Sequence, residues 1–152
     1  MDSVEIHGVF VDQFDPLDPL EVQIRDGLVA AFQFWAKNGH HPDFGKDFSY
    51  RDPQGSVVPK VGLRHVHLRP SVMTPDKART WNDPECDPRL KTSNRHLVYV
   101  RSDENDRLLI YYFEADAHAK AREEDYKFLK ALGRAAEEWL TKNRLYPDLS
   151  DS

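Results

Sequence analysis

The sequence is poor in cysteine, in long apolar runs and in net positive charge. Its single cysteine, Cys86, leaves no partner for an internal disulfide. It sits in Pro84-Glu85-Cys86-Asp87-Pro88, a turn-forming, charged setting that reads as an unused thiol of a reducing compartment. No apolar run approaches the ~18 residues that a membrane span needs. Met1 to Glu5 holds acids and no basic stretch, so no targeting signal is read there. The expectation is a cytoplasmic protein with no membrane partner. Repeats and low-complexity segments are absent.

The net charge is −5, which taken alone argues against nucleic-acid binding. The distribution says more than the total. Lys60 to Arg101 holds nine Lys and Arg against four Asp and Glu. A basic middle in an acidic frame is compatible with a phosphate site, and several histidines fall in that middle.

The 152 residues fit one domain, 1–152. A chain this long buries roughly 70% of its unfolded surface and needs no metal or disulfide to fold. Val4 to Val11 is β-branched and reads as a strand. Asp18, Pro19 and Glu21 form a helix start, and Leu20, Ile24, Leu28, Ala31 and Trp35 follow at helical spacing. Asn38-Gly39 ends that helix. His40 to Lys60, with Pro42, Gly45, Pro53, Gly55 and Pro59, reads as loop. Val61 to Leu68 is a strand, and Arg69 to Asn94 a long polar loop of the kind that is usually functional or mobile. His96–Arg101 and Arg107–Phe113 form a hairpin. Phe128, Leu132, Ala135, Trp139 and Leu140 mark a helix from about Ala119 to Lys142, with a frayed tail after Arg144. The expected fold is α/β in the α+β sense, in the order β-α-loop-β-β-β-α. It would be a small, antiparallel-rich sheet with helices on one face and the other face open to a ligand.

Five of seven histidines are candidates for chemistry. His65 and His67, in Arg64-His65-Val66-His67-Leu68, share one face of a strand, with Val66 and Leu68 on the other. His96 opens the next strand beside Arg95. His118 follows the last strand in Asp116-Ala117-His118-Ala119-Lys120-Ala121-Arg122, and His41 opens the earlier loop. His7 and His40 read as structural. Histidine is the natural acid or base near neutral pH. RNA cleavage by 2′-hydroxyl attack needs a base, an acid and cations for the charged phosphorane. Arg64, Arg95, Lys120 and Arg122 are the cations on offer. The same His-x-His pair permits a metal site that His96 or His118 would complete, although no carboxylate lies at ligand spacing. Asp43 either assists or forms a turn. Tyr99, Tyr111 and Tyr112 either stack on a base or fill the strand core, and Tyr99 falls on the face opposite His96.

Taken together, several segments resemble the YafO family of ribosome-dependent messenger-RNA endonuclease toxins. They are Phe34-Trp35-Ala36-Lys37-Asn38-Gly39, Pro42-Asp43-Phe44-Gly45-Lys46-Asp47, His65-Val66-His67-Leu68, Asn94-Arg95-His96-Leu97-Val98-Tyr99, Leu108-Leu109-Ile110 and His118-Ala119-Lys120-Ala121-Arg122. The Pro-Asp-x-Gly-x-Asp loop followed by His-x-His-Leu is the most specific part. The resemblance implies a type II toxin–antitoxin system, a RelE-like fold, messenger RNA and the ribosome as partners, and a cognate antitoxin. Positions carried over are Asp43, His65, His67, His96, His118, Lys120 and Arg122. The leading reading is an endoribonuclease without a metal cofactor, with His65 and His67 as the acid–base pair or as one base and one phosphate binder, His96 and His118 next, and Arg64, Lys120 and Arg122 stabilising phosphate charge. A metal-dependent hydrolase and a non-catalytic ribosome- or protein-binding module are the competing readings.

Overall fold

A computed structural model describes residues 2–150. Its centre is a five-stranded sheet in the order β1-β5-β4-β3-β2, built from Val4–Ile6, Phe44–Ser49, Arg64–Leu68, His96–Arg101 and Arg107–Phe113 as β1 to β5. β2 to β5 pair antiparallel, and β1 joins the β5 edge in parallel. The helices are α1 (Gly8–Val11), α2 (Pro19–Asn38), α3 (Val57–Lys60), α4 (Pro75–Asn82) and α5 (Ala117–Lys142).

The expected α+β class and the hairpin hold, and the layering is corrected. Both faces of the sheet are covered. On one, Val66, Leu68, Leu97, Tyr99 and Leu109 pack with Phe10, Phe14 and Phe32 from the α1–α2 region. On the other, Val98, Val100, Leu108 and Ile110 pack under Val58, Leu129, Leu132, Ala136 and Leu140 of α3 and α5. The reason lies in the strands themselves, since β4 is buried from His96 to Val100 on both alternating faces. A strand apolar on both sides needs two layers. A register shift in the β4–β5 pair, between Val98 and Tyr99, puts Ile110 and Tyr111 on the same side, both in the α5 core.

Helix α2 starts as its sequence dictates. Asp18 accepts the Leu20 amide at 3.0 Å, Pro19 occupies the first turn, and Gly39 closes the helix at φ 78°. The first strand is shorter than expected. His7 turns the chain by capping α1, its Nδ1 accepting the Val9 amide at 3.0 Å.

Three segments read as loop or tail are ordered. Phe44–Ser49 is edge strand β2, paired with β3 through a bulge between Phe44 and Asp47. Gly45 lies at that bulge because an added Cβ would collide with the Lys91 carbonyl and the Trp81 ring. The stretch after β3 contains α4, whose buried Trp81 packs there, and a short 3₁₀ turn at Pro88–Leu90. The residues after Arg144 are tied down. Pro147 bridges Ser102, and Asp148 meets Arg101 at 2.8 Å.

Helix α5 departs most from its sequence pattern. It breaks at Glu123–Tyr126, where Glu124, Asp125 and Tyr126 all have positive φ. Left-handed backbone at residues other than glycine costs about 1 kcal/mol or more each. The break separates a first segment, Ala117–Arg122, from the long segment that covers the α5 core.

Candidate active site

The first segment of α5 and the sheet enclose an open cavity of about 480 Å³. Its floor is set by strand alternation and register. His65 and His67 point to the same side of β3, and His67 pairs directly with His96 of β4. His118 reaches in from the α5 side. The four rings form one cluster. Centroids are 4.2 Å apart for His67–His96, 4.7 Å for His65–His96, 4.9 Å for His96–His118 and 5.8 Å for His67–His118. His65, His67 and His96 are buried, while His118 is exposed.

Burial decides the charge of the cluster. Desolvation is the largest effect on all three buried rings and favours the neutral imidazole. Repulsion among the histidines adds to it, and Lys46 adds at His65 and His67. His67 falls to about 3 and His96 to about 4, and His65 lies well below the ordinary value. At neutral pH the floor is therefore an uncharged, hydrogen-bonding surface.

Stability should depend on pH in consequence. The unfolded chain takes up these protons near pH 6.5, and the folded chain resists until about 4 to 3. The contribution is fully present above about pH 6.5 and is lost as pH falls towards 4. Urea midpoints measured from pH 7.5 to 5 should decline. Carboxylates titrate mostly below that range, so a flat profile would contradict a neutral cluster.

Ser93 fixes the direction of two rings. Its amide donates to His67 Nδ1 at 2.9 Å, and its carbonyl faces His96 Nε2 at 2.9 Å. A carbonyl only accepts, so His96 carries its hydrogen on Nε2 and leaves Nδ1 bare. His67 has its Nδ1 lone pair engaged, so neutral His67 carries hydrogen on Nε2. His65 Nδ1 is buried with no hydrogen-bond partner.

The same cluster has metal-like spacing. One ligand nitrogen from each of His65, His67 and His96 lies within 4.8 Å of the others. Ligation by His67 Nε2, however, requires the hydrogen on Nδ1, where the Ser93 amide already donates. His96 keeps a bare Nδ1 for a cation, His67 has no free lone pair on Nε2, and no hydrogen bond orients His65.

The expected phosphate-binding residues separate into two groups. Arg122 lines the cavity. Lys120 is exposed on the same helical segment and does not line it. Arg64 lies on the opposite face of β3, fully buried beside Tyr99 and Asp47. Arg95 is held by the Tyr112 hydroxyl, at 2.7 Å from Nη2, outside the cavity. Asp43 is also outside it, and its carbonyl accepts the Arg69 amide. His41 caps its own loop by accepting the Asp43 amide and packs against Phe34 and Phe44. Alternation on strands explains Arg64, because the residue before His65 must face the other way.

Sequence reasoning missed the wall supplied by β2. Lys46, Phe48 and Tyr50 line the cavity, together with Arg51 and Asp52. Lys46 Nζ lies 4.9 Å from the Phe48 ring centroid, and the Arg51 guanidinium 4.8 Å from it. Tyr50 lies against His65 with centroids 4.2 Å apart. The signal was present in Lys46-Asp47-Phe48-Ser49-Tyr50, a period-two pattern hidden between Gly45 and Pro53. Tyr126, at the break in α5, also lines the cavity.

A family model described as toxin YafO of a type II toxin–antitoxin system matches residues 33–141. That span includes every histidine of the cluster. Neither a curated protein nor a solved structure matches the chain.

Proposed function

The chain belongs to the YafO toxin family of type II toxin–antitoxin systems, and from that premise we propose that it is an endoribonuclease that cuts messenger RNA on the ribosome. Family membership implies an antitoxin partner. The observation that carries the nuclease reading is the cluster of four imidazoles, three on the sheet and one on α5, beside Lys46, Arg51 and Arg122 in one open cavity. A base, an acid and fixed cations are what 2′-hydroxyl attack needs, and neutral imidazoles supply proton acceptors without a metal cofactor. Lys46, Arg51 and Arg122 against Asp52 leave the cavity lining net positive although the chain carries −5. No helix among the described residues is long and apolar enough to cross a membrane. A cytoplasmic toxin acting on ribosomes fits that chain.

The test is cleavage of a defined transcript by purified protein with purified ribosomes. Products ending in a 2′,3′-cyclic phosphate and a 5′-hydroxyl are expected, and EDTA at millimolar concentration should leave the rate within about twofold. Translation arrest with uncut transcript would refute the nuclease reading and favour a non-catalytic ribosome- or protein-binding module.

The spacing of His65, His67 and His96 supports one second reading, a metal-dependent hydrolase. It predicts about one equivalent of zinc or a similar ion per chain and loss of cleavage with chelator.

A further inference from the structure

Within the nuclease reading, and resting on it, the Ser93 backbone separates the roles of the histidines. The two bonds from Ser93 leave His96 and His67 with opposite hydrogen-bonding faces. His96 presents a bare Nδ1 and can take a proton there. His67 presents an Nε2 hydrogen and can only donate. His118 is the exposed member of the cluster.

We propose that His96 is the general base, that His67 donates a hydrogen bond to the scissile phosphate, and that His118 is the general acid. His96 Nδ1 takes the 2′-hydroxyl proton while the 2′ oxygen bonds to phosphorus. The bond from phosphorus to the 5′ oxygen breaks, and His118 gives that oxygen its proton. The products are a 2′,3′-cyclic phosphate and a 5′-hydroxyl. His96 ends with one proton more and His118 with one fewer, and solvent restores both. Throughout, the His67 hydrogen stays on His67 and stabilises the charged oxygens of the phosphorane.

The proposal departs from an acid–base pair of His65 and His67, since His65 has an unpartnered buried Nδ1 and no bond that sets its direction. It also places base and acid on different elements, the sheet and α5.

Ser93 is then a positioning residue. Its hydroxyl lies 2.6 Å from the Leu68 carbonyl and 3.0 Å from that of Arg95, and accepts the Arg95 amide at 3.1 Å. These bonds hold the chain between β3 and β4 at the position where its amide and carbonyl meet the two rings.

The deciding probe is a short RNA with sulfur in place of the bridging 5′ oxygen, read on ribosomes beside its oxygen counterpart. A thiolate leaves without being protonated, so only loss of the acid is repaired by sulfur. His118→Ala should lose about 10²- to 10⁴-fold on the oxygen linkage and return to within about tenfold of the parent on sulfur. His96→Gln, which keeps an amide donor for the Ser93 carbonyl, should be impaired equally on both linkages. His118→Ala impaired equally on both, or His96→Gln rescued by sulfur, overturns the assignment while the nuclease reading stands. A parent protein that cuts neither linkage overturns both. Ser93→Ala should lower kcat with little change in KM, and Ser93→Thr should restore it. An effect confined to KM removes Ser93 from the positioning role.

Discussion

Cells expressing His67→Ala should keep growing where the parent sequence arrests them, and the variant protein should remain folded. The expected activity loss is about 10²- to 10⁴-fold, the usual contribution of one positioned proton-handling or donor group. The size follows from where the ring sits. It is 3% exposed, lies 4.2 Å from His96 between centroids, and borders the cavity instead of either apolar core. Its removal opens space beside an existing opening, where water enters without leaving a dry void. The Ser93 amide loses its acceptor, and a water in the enlarged cavity replaces it. The fold should therefore survive at neutral pH.

Acid behaviour adds a control. The parent is destabilised as pH falls below about 6.5 because the folded cluster refuses protons that the unfolded chain accepts. His67→Ala removes one of those groups and lessens repulsion on His65, so its stability should decline less steeply between pH 6.5 and 5. Measuring growth arrest, cleavage and urea midpoints on one preparation separates lost chemistry from lost fold. A folded variant that still arrests growth would remove His67 from the site.

The sequence is most informative where one rule acts alone. Alternation in Arg64-His65-Val66-His67-Leu68 put both histidines on one face, and they lie there. Asp18, Pro19 and Gly39 bounded α2 correctly because capping is local. Tyr99 fell opposite His96 and is buried there. Where tertiary contact decides, the pattern misleads. β2 has a short period-two pattern, but what holds it is pairing with β3 and the Lys46 amide on the Lys91 carbonyl, contacts distant in sequence. The break in α5 falls in Glu123-Glu124-Asp125-Tyr126, which contains neither glycine nor proline. The cations failed for a different reason. Arg64, Arg95 and Arg122 are alike in sequence, and only Arg122 borders the cavity. Proximity to a histidine in sequence is not proximity to the site on a strand, because neighbours face opposite ways.

That opposite face is where the largest stability effect is expected. Arg64 is fully buried, which disfavours its charge, yet Tyr99 and Asp47 hold its pKa above the ordinary value. Asp47 is the hub. It accepts the Tyr99 hydroxyl at 2.7 Å and meets the Arg64 guanidinium at 3.3 Å, while Tyr99 also accepts Arg64 Nε at 3.2 Å. The Ser150 carbonyl, 2.6 Å from Arg64 Nη1, offers an acceptor but no charge. Asp47→Ala takes the carboxylate away and leaves a buried cation and a buried hydroxyl in poorer surroundings. Breaking a buried ion pair from one side costs about 3–5 kcal/mol, and the 16% exposure of the Asp47 side chain argues for the lower end. A loss of about 3 kcal/mol in urea unfolding is expected. Asp47→Asn should lose less, because its amide oxygen still accepts from Tyr99. The network ties β2, β3 and β4 together at the strands that carry Lys46, His65 and His67, so loss of activity in Asp47→Ala should track loss of folded protein. If Asp47→Ala unfolds at the parent's midpoint, the network is not a principal tie between these strands.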